Sequence, residues 1–442
     1  MNCRVIHNLQ FVMRFKFLIL VLSAAPLWAA PNSTPKVAPK APLEPAPQVP
    51  KVPDAGAPGQ KAEGGAETPR PKLDDDLVAA IVEGDTKKAG DLLAKGANVN
   101  AVDRYGSTPL MQAVAVGSDG MIRLLLDKGA DANSKDKDGF TPLLIACYSG
   151  RTPVASLLME RGADLNATDA KGHTTLMGAA YSGKSDIVKM LVDKGADFRA
   201  RDADGFTALM VAAGSGNVVN VQLLMSKGAA INTATASGFT PLMQACGAGR
   251  VRVVKLLLQN GAYVETQTRQ GFTPLLIACY AGHPRIVEML LDRGANIEAQ
   301  DVIGHTPLMG AAYSGNADIA RLLLQRGANM EVQTRSGLNA LMQAAYSGKA
   351  EVVKLLLEQG ANVEAKTTKG LTALMQAAGT GNEQIVRLLL EAGSDINVQD
   401  ISKQNALSWA KKRRQGELMD LLIQAGSEEL PEKTEKSESQ GT

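Results

Sequence analysis

The stretch KDGFTPLLIACYSGRTPVASLLMERGADLNATD, residues 137–169, contains the pattern on which the fold depends. Its Asp-Gly pair predicts a tight turn, because Gly139 can take the positive φ that such a turn needs. Thr141 is a good N-cap residue for a first short helix, which is expected to end at Gly150. A second helix is expected to end at Gly162 in a left-handed C-cap. The stretch therefore predicts a turn followed by two short helices.

This pattern returns along the chain, without an insertion, at the interval that separates Gly106 from Gly139. Three series of glycines show the period. The first runs from Gly106 through Gly139 to Gly370, the second from Gly84 through Gly117 to Gly381, and the third from Gly96 through Gly129 to Gly426. Neither helix of a unit can bury its apolar stripe alone, so neighbouring units must stack. A period of about 33 residues predicts a solenoid.

The repeated motif G-x-TPL-x-x-A-A-x-x-G, followed by LL-x-x-GA, resembles the ankyrin repeat. The resemblance covers residues 73–426 and implies an all-α ankyrin-repeat solenoid with nine full repeats between two atypical end units. Those units are LDDDLVAAIVEGD and QNALSWAKKRRQGELMDLL, and in the second Lys403 replaces the turn glycine. Seven repeats have Met where the family usually has His after TPL. The chain is similar to exported bacterial ankyrin-repeat proteins, which implies protein binding without catalysis.

A longer period is superimposed on the repeat. GFTPLLIACY occurs at residues 139–148 and again at 271–280, and LMGAAYSG ends at Gly183 and again at Gly315. Both offsets span four repeats. A four-repeat block is therefore duplicated, and a binding surface on one copy is expected to recur on the other.

The two ends of the chain differ in composition from the repeats. Residues 1–29 combine a basic start, a short apolar run and an Ala-rich exit, which indicates a signal peptide, with Met1 or Met13 as the start and an uncleaved anchor as the alternative. Residues 30–72 are rich in Pro and Ala and read as a disordered linker. Residues 427–442 form a charged tail that is expected to be disordered. We expect export to the periplasm or medium, with membrane contact only through the signal.

One short motif argues for an enzyme. GAAYSGKS, Gly178–Ser185, fits the nucleotide-binding pattern GxxxxGK[ST]. That loop needs a preceding strand and unbonded N–H groups, whereas the residues before Gly183 are predicted to be helical. The duplicated block has Asn316 in place of the lysine. We expect no catalytic residues and no cofactor, and nucleotide binding stays a remote alternative.

The repeat also explains the histidines and cysteines that could have indicated a metal site or disulfides. His173 and His305 resemble a metal pair but lie four repeats apart, so no metal is expected. Three cysteines fall at one repeat position and are expected to be buried thiols too far apart for disulfides: Cys147, Cys246 and Cys279. The net charge of +2 gives no reason to expect nucleic acid, and nothing indicates a small-molecule substrate.

The aromatic residues indicate where a partner binds. Four Phe follow the turn glycine and five Tyr follow the AA pair of the first helix, a face that is expected to line the concave groove. Rigid amphipathic rings are typical of interface hot spots. Ring stacking between neighbouring turns is the alternative for the Phe. The predicted partner-binding residues are Phe140, Tyr148, His173, Tyr181, Phe206, Phe239, Phe272, Tyr280, His305, Tyr313 and Tyr346. The expected function is a protein-binding scaffold of the cell envelope, with a secreted effector as the alternative.

Overall fold

The computed structural model describes residues 72–426, and all regular elements in this range are helices. The 22 helices form eleven consecutive pairs, so the all-α prediction is confirmed. They are α1 Lys72–Glu83, α2 Thr86–Ala94, α3 Pro109–Val116, α4 Asp119–Asp127, α5 Pro142–Tyr148, α6 Thr152–Glu160, α7 Thr175–Ser182, α8 Ser185–Asp193, α9 Ala208–Ser215, α10 Val218–Ser226, α11 Pro241–Gly247, α12 Val251–Gln259, α13 Pro274–Ala281, α14 Pro284–Leu291, α15 Pro307–Ser314, α16 Ala317–Gln325, α17 Ala340–Tyr346, α18 Ala350–Glu358, α19 Ala373–Thr380, α20 Glu383–Glu391, α21 Ala406–Lys412 and α22 Gly416–Gln424. None of these helices is long and apolar enough to cross a membrane.

The chain divides into two compact units, Met1–Ala230 and Ile231–Thr442. The described part of the first unit holds α1–α10, and that of the second holds α11–α22. Within each unit, the first helix of every pair packs on the first helices of the neighbouring pairs, and most second helices also contact the second helix of the next pair. Each unit is therefore a stack of helix pairs with two layers.

The predicted helix boundaries follow from capping. The Thr141 hydroxyl accepts a hydrogen bond from the Leu144 N–H at 3.2 Å, and Pro142 occupies the first helical position of α5. The same Thr cap begins most of the first helices, which satisfies an N–H that the helix itself leaves unpaired. The second helix of this pair is followed by Gly162 at φ 81°, the expected left-handed C-cap.

The core lies between successive pairs and consists of aliphatic and small side chains. Helix α5 buries Leu143, Leu144, Ala146 and Cys147 completely. On α6, Leu158 is also completely buried. Because the AA pair has almost no side chain, the first helices of neighbouring pairs can pack closely. The pattern of the repeat thus accounts for the two-layered stack.

The turns between pairs form a row of projecting fingers. The Ala170 N–H donates to the Asp138 carbonyl at 2.8 Å, so these two successive fingers are bonded to each other. Gly139 has φ 81°, and a Cβ atom placed there would lie 2.7 Å from the Ala170 nitrogen. Glycine is therefore required at this position both for its dihedral angle and for the close approach of the next finger.

The C-terminal end unit keeps the backbone of the repeat although two of its turn glycines are replaced. Lys403 and Arg414 occupy two turn positions that are glycine in the other repeats, and they still have positive φ, 55° and 57°. The Trp409 ring of α21 lies over Gly379, and its indole N–H donates to Asp400 Oδ2 at 3.2 Å. This unit therefore closes the stack with a large ring and charged side chains.

Candidate partner-binding surface

The structure brings six of the predicted site residues together in two aromatic clusters, one in each unit. In the first aromatic cluster, the Tyr148 ring centroid lies 6.1 Å from that of Phe140 and 5.9 Å from that of Tyr181. In the second aromatic cluster, the Tyr280 centroid lies 5.8 Å from Phe272 and 5.7 Å from Tyr313. Tilted and edge-on rings at these distances attract one another. The duplicated sequence thus produces a duplicated arrangement of rings.

The central tyrosine of each cluster lies on a glycine of the next repeat. A Cβ atom at Gly178 would come within 3.0 Å of Tyr148 Cδ2, and one at Gly310 within 3.2 Å of Tyr280 Cδ2. Burial raises the pKa of both phenols well above the usual range. Both rings are half-buried, because the missing glycine side chain leaves space that each ring partly fills, so they face solvent less than the sequence predicts.

The tyrosines that lack such a glycine remain at the surface. The residue 30 positions further on is Gly for Tyr148 and Tyr280, but it is Val211 for Tyr181 and a glutamine for Tyr313 and Tyr346. Tyr313 is 38% exposed and Tyr346 is 40% exposed, while Tyr181 is half-buried. Tyr313 and Tyr346 are therefore the most exposed tyrosines of the first helices.

The finger phenylalanines are mostly packing residues. Phe239 is 8% exposed and Phe272 is 4% exposed, so neither ring is available to a partner, and their prediction as contact residues is corrected. Phe140 and Phe206 are half-buried. The Phe272 ring is covered by the Tyr280 ring of its own repeat. The ring contacts of Phe140 and Phe272 are with the tyrosine of their own repeat, so they differ from the stacking between neighbouring turns that was the alternative prediction.

The two predicted histidines already have partners inside the chain. Nδ1 of His173 lies 2.7 Å from Asp169 Oδ2, and Nδ1 of His305 lies 2.9 Å from Asp301 Oδ2. Both imidazoles are half-buried. Burial acts to raise the pKa of Asp169 and of Asp301. The hydrogen bond and charge of the adjacent histidine outweigh this effect and hold both pKa values below the usual value. Each pair fixes the base of a finger.

The sequence resembling a nucleotide-binding loop is built into a helix pair. Gly178–Ser182 belongs to α7, and the Gly178 N–H donates to the Thr174 carbonyl at 3.0 Å. A helix does begin after Lys184, at Ser185, but the Lys184 stem lies against Gly150 of the preceding repeat. A phosphate cradle needs these N–H groups unbonded. Repeat packing therefore accounts for each residue of the motif.

The three cysteines lie in the core as predicted. Cys147, Cys246 and Cys279 are free, completely buried thiols, and burial raises the pKa of each above its usual value. A buried, protonated thiol is a poor nucleophile and a poor metal ligand. Among the residues that the structure describes, no group of three or more His, Cys, Asp or Glu side chains could hold a metal ion.

Sequence reasoning missed the apolar finger tips of the second unit. Val302 and Ile303 are both exposed, and so is Ile401 at the equivalent tip three repeats on. The available signal was the contrast with neighbouring tips, which have Arg335 or Lys369 at these positions. These tips extend the apolar surface of the second unit beyond its tyrosines.

Comparison with known proteins places the chain in a family. A family model described as ankyrin repeats (3 copies) matches residues 77–169, 176–268, 220–301, 261–334, 294–367 and 341–434. The chain therefore belongs to the ankyrin-repeat family. Repeats of this kind form a scaffold for protein–protein interaction, which is the class of protein that the fold and this surface define.

Among solved structures, the chain is similar to the ankyrin repeat domain of human ASB11. The two are 28% identical, with a TM-score of 0.47, and the match covers 51% of this chain and 100% of the ASB11 domain. A search of curated proteins found no match.

Proposed function

We propose that the chain is a non-enzymatic scaffold that holds a partner protein against the exposed tyrosines of its first helices. The observation that carries this proposal is that Tyr313 and Tyr346, in consecutive repeats, are exposed. Tyr280, the central tyrosine of the second aromatic cluster, instead packs against Gly310. Packing explains the buried rings but does not explain large aromatic side chains kept in solvent. Exposed tyrosines on a rigid helical frame contribute contact area at little cost in conformational entropy.

The duplication adds a stoichiometry to the proposal. Each unit has its own aromatic cluster, and the two clusters have closely similar geometry. The distance from the central tyrosine to its phenylalanine is 6.1 Å in one cluster and 5.8 Å in the other, and the distance to the second tyrosine is 5.9 Å and 5.7 Å. Two sites of the same shape accept the same kind of partner segment. We therefore expect the chain to bind two copies of one motif, with the second site larger because Tyr346 extends it.

The test is a capture experiment with the full chain and single Tyr→Ala variants. Proteins retained from the native envelope fraction are quantified by mass spectrometry for wild type, Tyr313→Ala and Tyr346→Ala. A true contact tyrosine contributes up to about 2 kcal/mol of binding. Thermal unfolding of both variants should stay within about 0.5 kcal/mol of wild type, because the rings are exposed.

Two control variants separate binding from folding. Lys255→Ala changes an exposed residue of a second helix and should retain the partner. Tyr280→Ala removes the packed ring and should lower the melting temperature. If Tyr313→Ala and Tyr346→Ala both retain every captured protein as wild type does, the tyrosine surface is not the binding site.

The proposed setting is the cell envelope, which the chain would reach through the signal peptide predicted in residues 1–29. These residues lie outside the described part of the chain, so the proposal rests on their sequence alone. A secreted effector that binds a protein of another cell is the alternative. Fractionation of producing cells into cytoplasm, periplasm and medium distinguishes the two.

A further inference from the structure

The two copies of the duplicated block differ at one polar contact between fingers. In the first unit, the His173 imidazole lies between two carboxylates, with Nδ1 2.7 Å from Asp169 Oδ2 and Nε2 3.5 Å from Asp202 Oδ2. In the second unit, His305 has Asp301 at 2.9 Å, but the position equivalent to Asp202 is Thr334. The His173 imidazole therefore contacts carboxylates of two neighbouring fingers, whereas the His305 imidazole contacts the carboxylate of its own finger.

Both carboxylates are held in place by their own fingers. Oδ1 of Asp169 accepts the N–H groups of Lys171 and His173, and Oδ1 of Asp202 accepts those of Asp204 and Phe206. Each carboxylate thus has its Oδ2 left to face the imidazole. The side chains of Asp169 and Asp202 are only 5% and 6% exposed, so water screens these contacts poorly.

The geometry requires a proton that a neutral imidazole does not supply. A neutral imidazole has a single N–H, and Nδ1 uses it for the short bond to Asp169. The lone pair of Nε2 would then face the Asp202 carboxylate, which is repulsive. The contact is favourable when one more proton resides on Nε2 or on Asp202. Burial raises the pKa of Asp202, which also favours keeping this additional proton.

We propose that Asp169, His173 and Asp202 form a proton-retaining bridge between two adjacent fingers, and that this bridge makes the contact between those fingers sensitive to pH, a link that the equivalent fingers of the second unit lack. The proton belongs to the three groups together, as in any strongly coupled set. The bridge acts alongside the backbone bond in which the Ala203 N–H donates to the Lys171 carbonyl at 2.9 Å. Losing the proton places two negative carboxylates beside a neutral ring.

The other charged groups around the bridge favour retention of the proton. Asp204, on the second finger, adds a negative charge that acts on Asp202. From helix α5, the Tyr148 phenol faces both carboxylates and stays neutral, because burial and those charges raise its pKa. The basic residues of the two fingers, Lys171 and Arg201, are exposed.

The direction of the pH effect follows from proton linkage. An unfolded histidine releases its proton near pH ~6.5, and the folded bridge holds it to higher pH. The stabilisation from the bridge is therefore fully present below that pH and is lost as the pH rises through the midpoint of the cluster.

The experiment follows the histidine side-chain nitrogens of the full chain by 15N NMR between pH 5 and 9. Signals are assigned with His173→Gln and His305→Gln. The signals of the His173 nitrogens, which report on the bridge as a whole, should change at higher pH than those of His305, because a second carboxylate lies nearby. Equal midpoints for the two histidines in the wild-type chain would overturn the proposal.

Two exchanges between the copies complete the test. Asp202→Thr should bring the His173 midpoint down to that of His305, and Thr334→Asp should raise the His305 midpoint. Threonine preserves the finger, because Thr235 and Thr268 accept the same N–H bond at this position at 3.0 and 3.1 Å. An unchanged His173 midpoint in a folded Asp202→Thr chain would contradict the bridge.

Hydrogen exchange gives an independent readout of the finger contact. The Ala203 N–H and its equivalent, the Arg335 N–H, both donate to the preceding finger. After correction for intrinsic rates, protection of Ala203 should fall between pH 6 and pH 9, whereas that of Arg335 should not. If both amides keep the same protection across this range, the fingers are not coupled through the bridge.

Discussion

At the scale of single residues, glycine and tyrosine positions in successive repeats determine each other. Tyr148 lies flat because Gly178 has no side chain, and Tyr280 lies flat because of Gly310. The pairing also occurs in reverse, since the Trp409 ring lies over Gly379 of the preceding repeat. Where both positions have side chains, as with Tyr313 and Gln343, the ring stays exposed. A glycine 30 positions on thus lets a tyrosine ring pack against the next repeat.

We expect Gly178→Val to destabilise the chain by about 1–3 kcal/mol, because the new side chain overlaps the Tyr148 ring. Gly310→Val should have a similar effect, because Tyr280 lies equally close. Urea unfolding of the full chain measures both. As a control, Gly416→Ala adds a Cβ that meets nothing within 4 Å and should not destabilise. Wild-type stability in both valine variants would show that the rings yield without cost.

At the scale of secondary-structure elements, the C-terminal helix pair has other residues at two positions where the backbone favours glycine. Lys403 and Arg414 keep the left-handed conformation that glycine takes at these positions in the other repeats. The left-handed conformation costs a residue with a side chain roughly 1–2 kcal/mol. The stacking of α21 and α22 on the preceding pair maintains this conformation, since the neighbouring finger bonds Ile401 to the Lys369 carbonyl at 3.0 Å.

Lys403→Gly should therefore stabilise the chain, by up to about 1 kcal/mol after the greater flexibility of unfolded glycine is deducted. Thermal unfolding of the full chain gives the change in melting temperature. The matched control is Ser402→Gly, next to it, which lacks a positive φ and should destabilise slightly. If both glycine variants lower the melting temperature equally, the left-handed angle at Lys403 carries no strain.

At the scale of the whole molecule, the ends and the repeats have separate roles in the proposed function. We expect the mature protein to begin at or near Ala30, because the apolar run ends there in small residues that suit a signal peptidase. N-terminal sequencing of the protein from the envelope fraction measures this. A terminus that remains at Met1 or Met13 would indicate a membrane tether in place of export.

The sequence by itself determined the family, the period and the helix boundaries. Each of these depends on residues close together in the chain, such as Thr141 and Gly162, whose capping and dihedral preferences act locally. The burial of the thiols followed from the period alone, because Cys147 occupies the small-residue position that every repeat buries. Because the same capping and dihedral preferences recur at a fixed interval, they specify a stack of similar helix pairs.

Only the tertiary structure decided which aromatic residues are available to a partner. Tyr148 and Tyr313 occupy the same position in the repeat, yet one ring is packed and the other is exposed, because the residue 30 positions on differs. The bridge at His173 likewise depends on Asp202, a residue of the next finger. Exposure and proton sharing arise where side chains of neighbouring repeats meet, and the pattern of a single repeat does not contain those contacts.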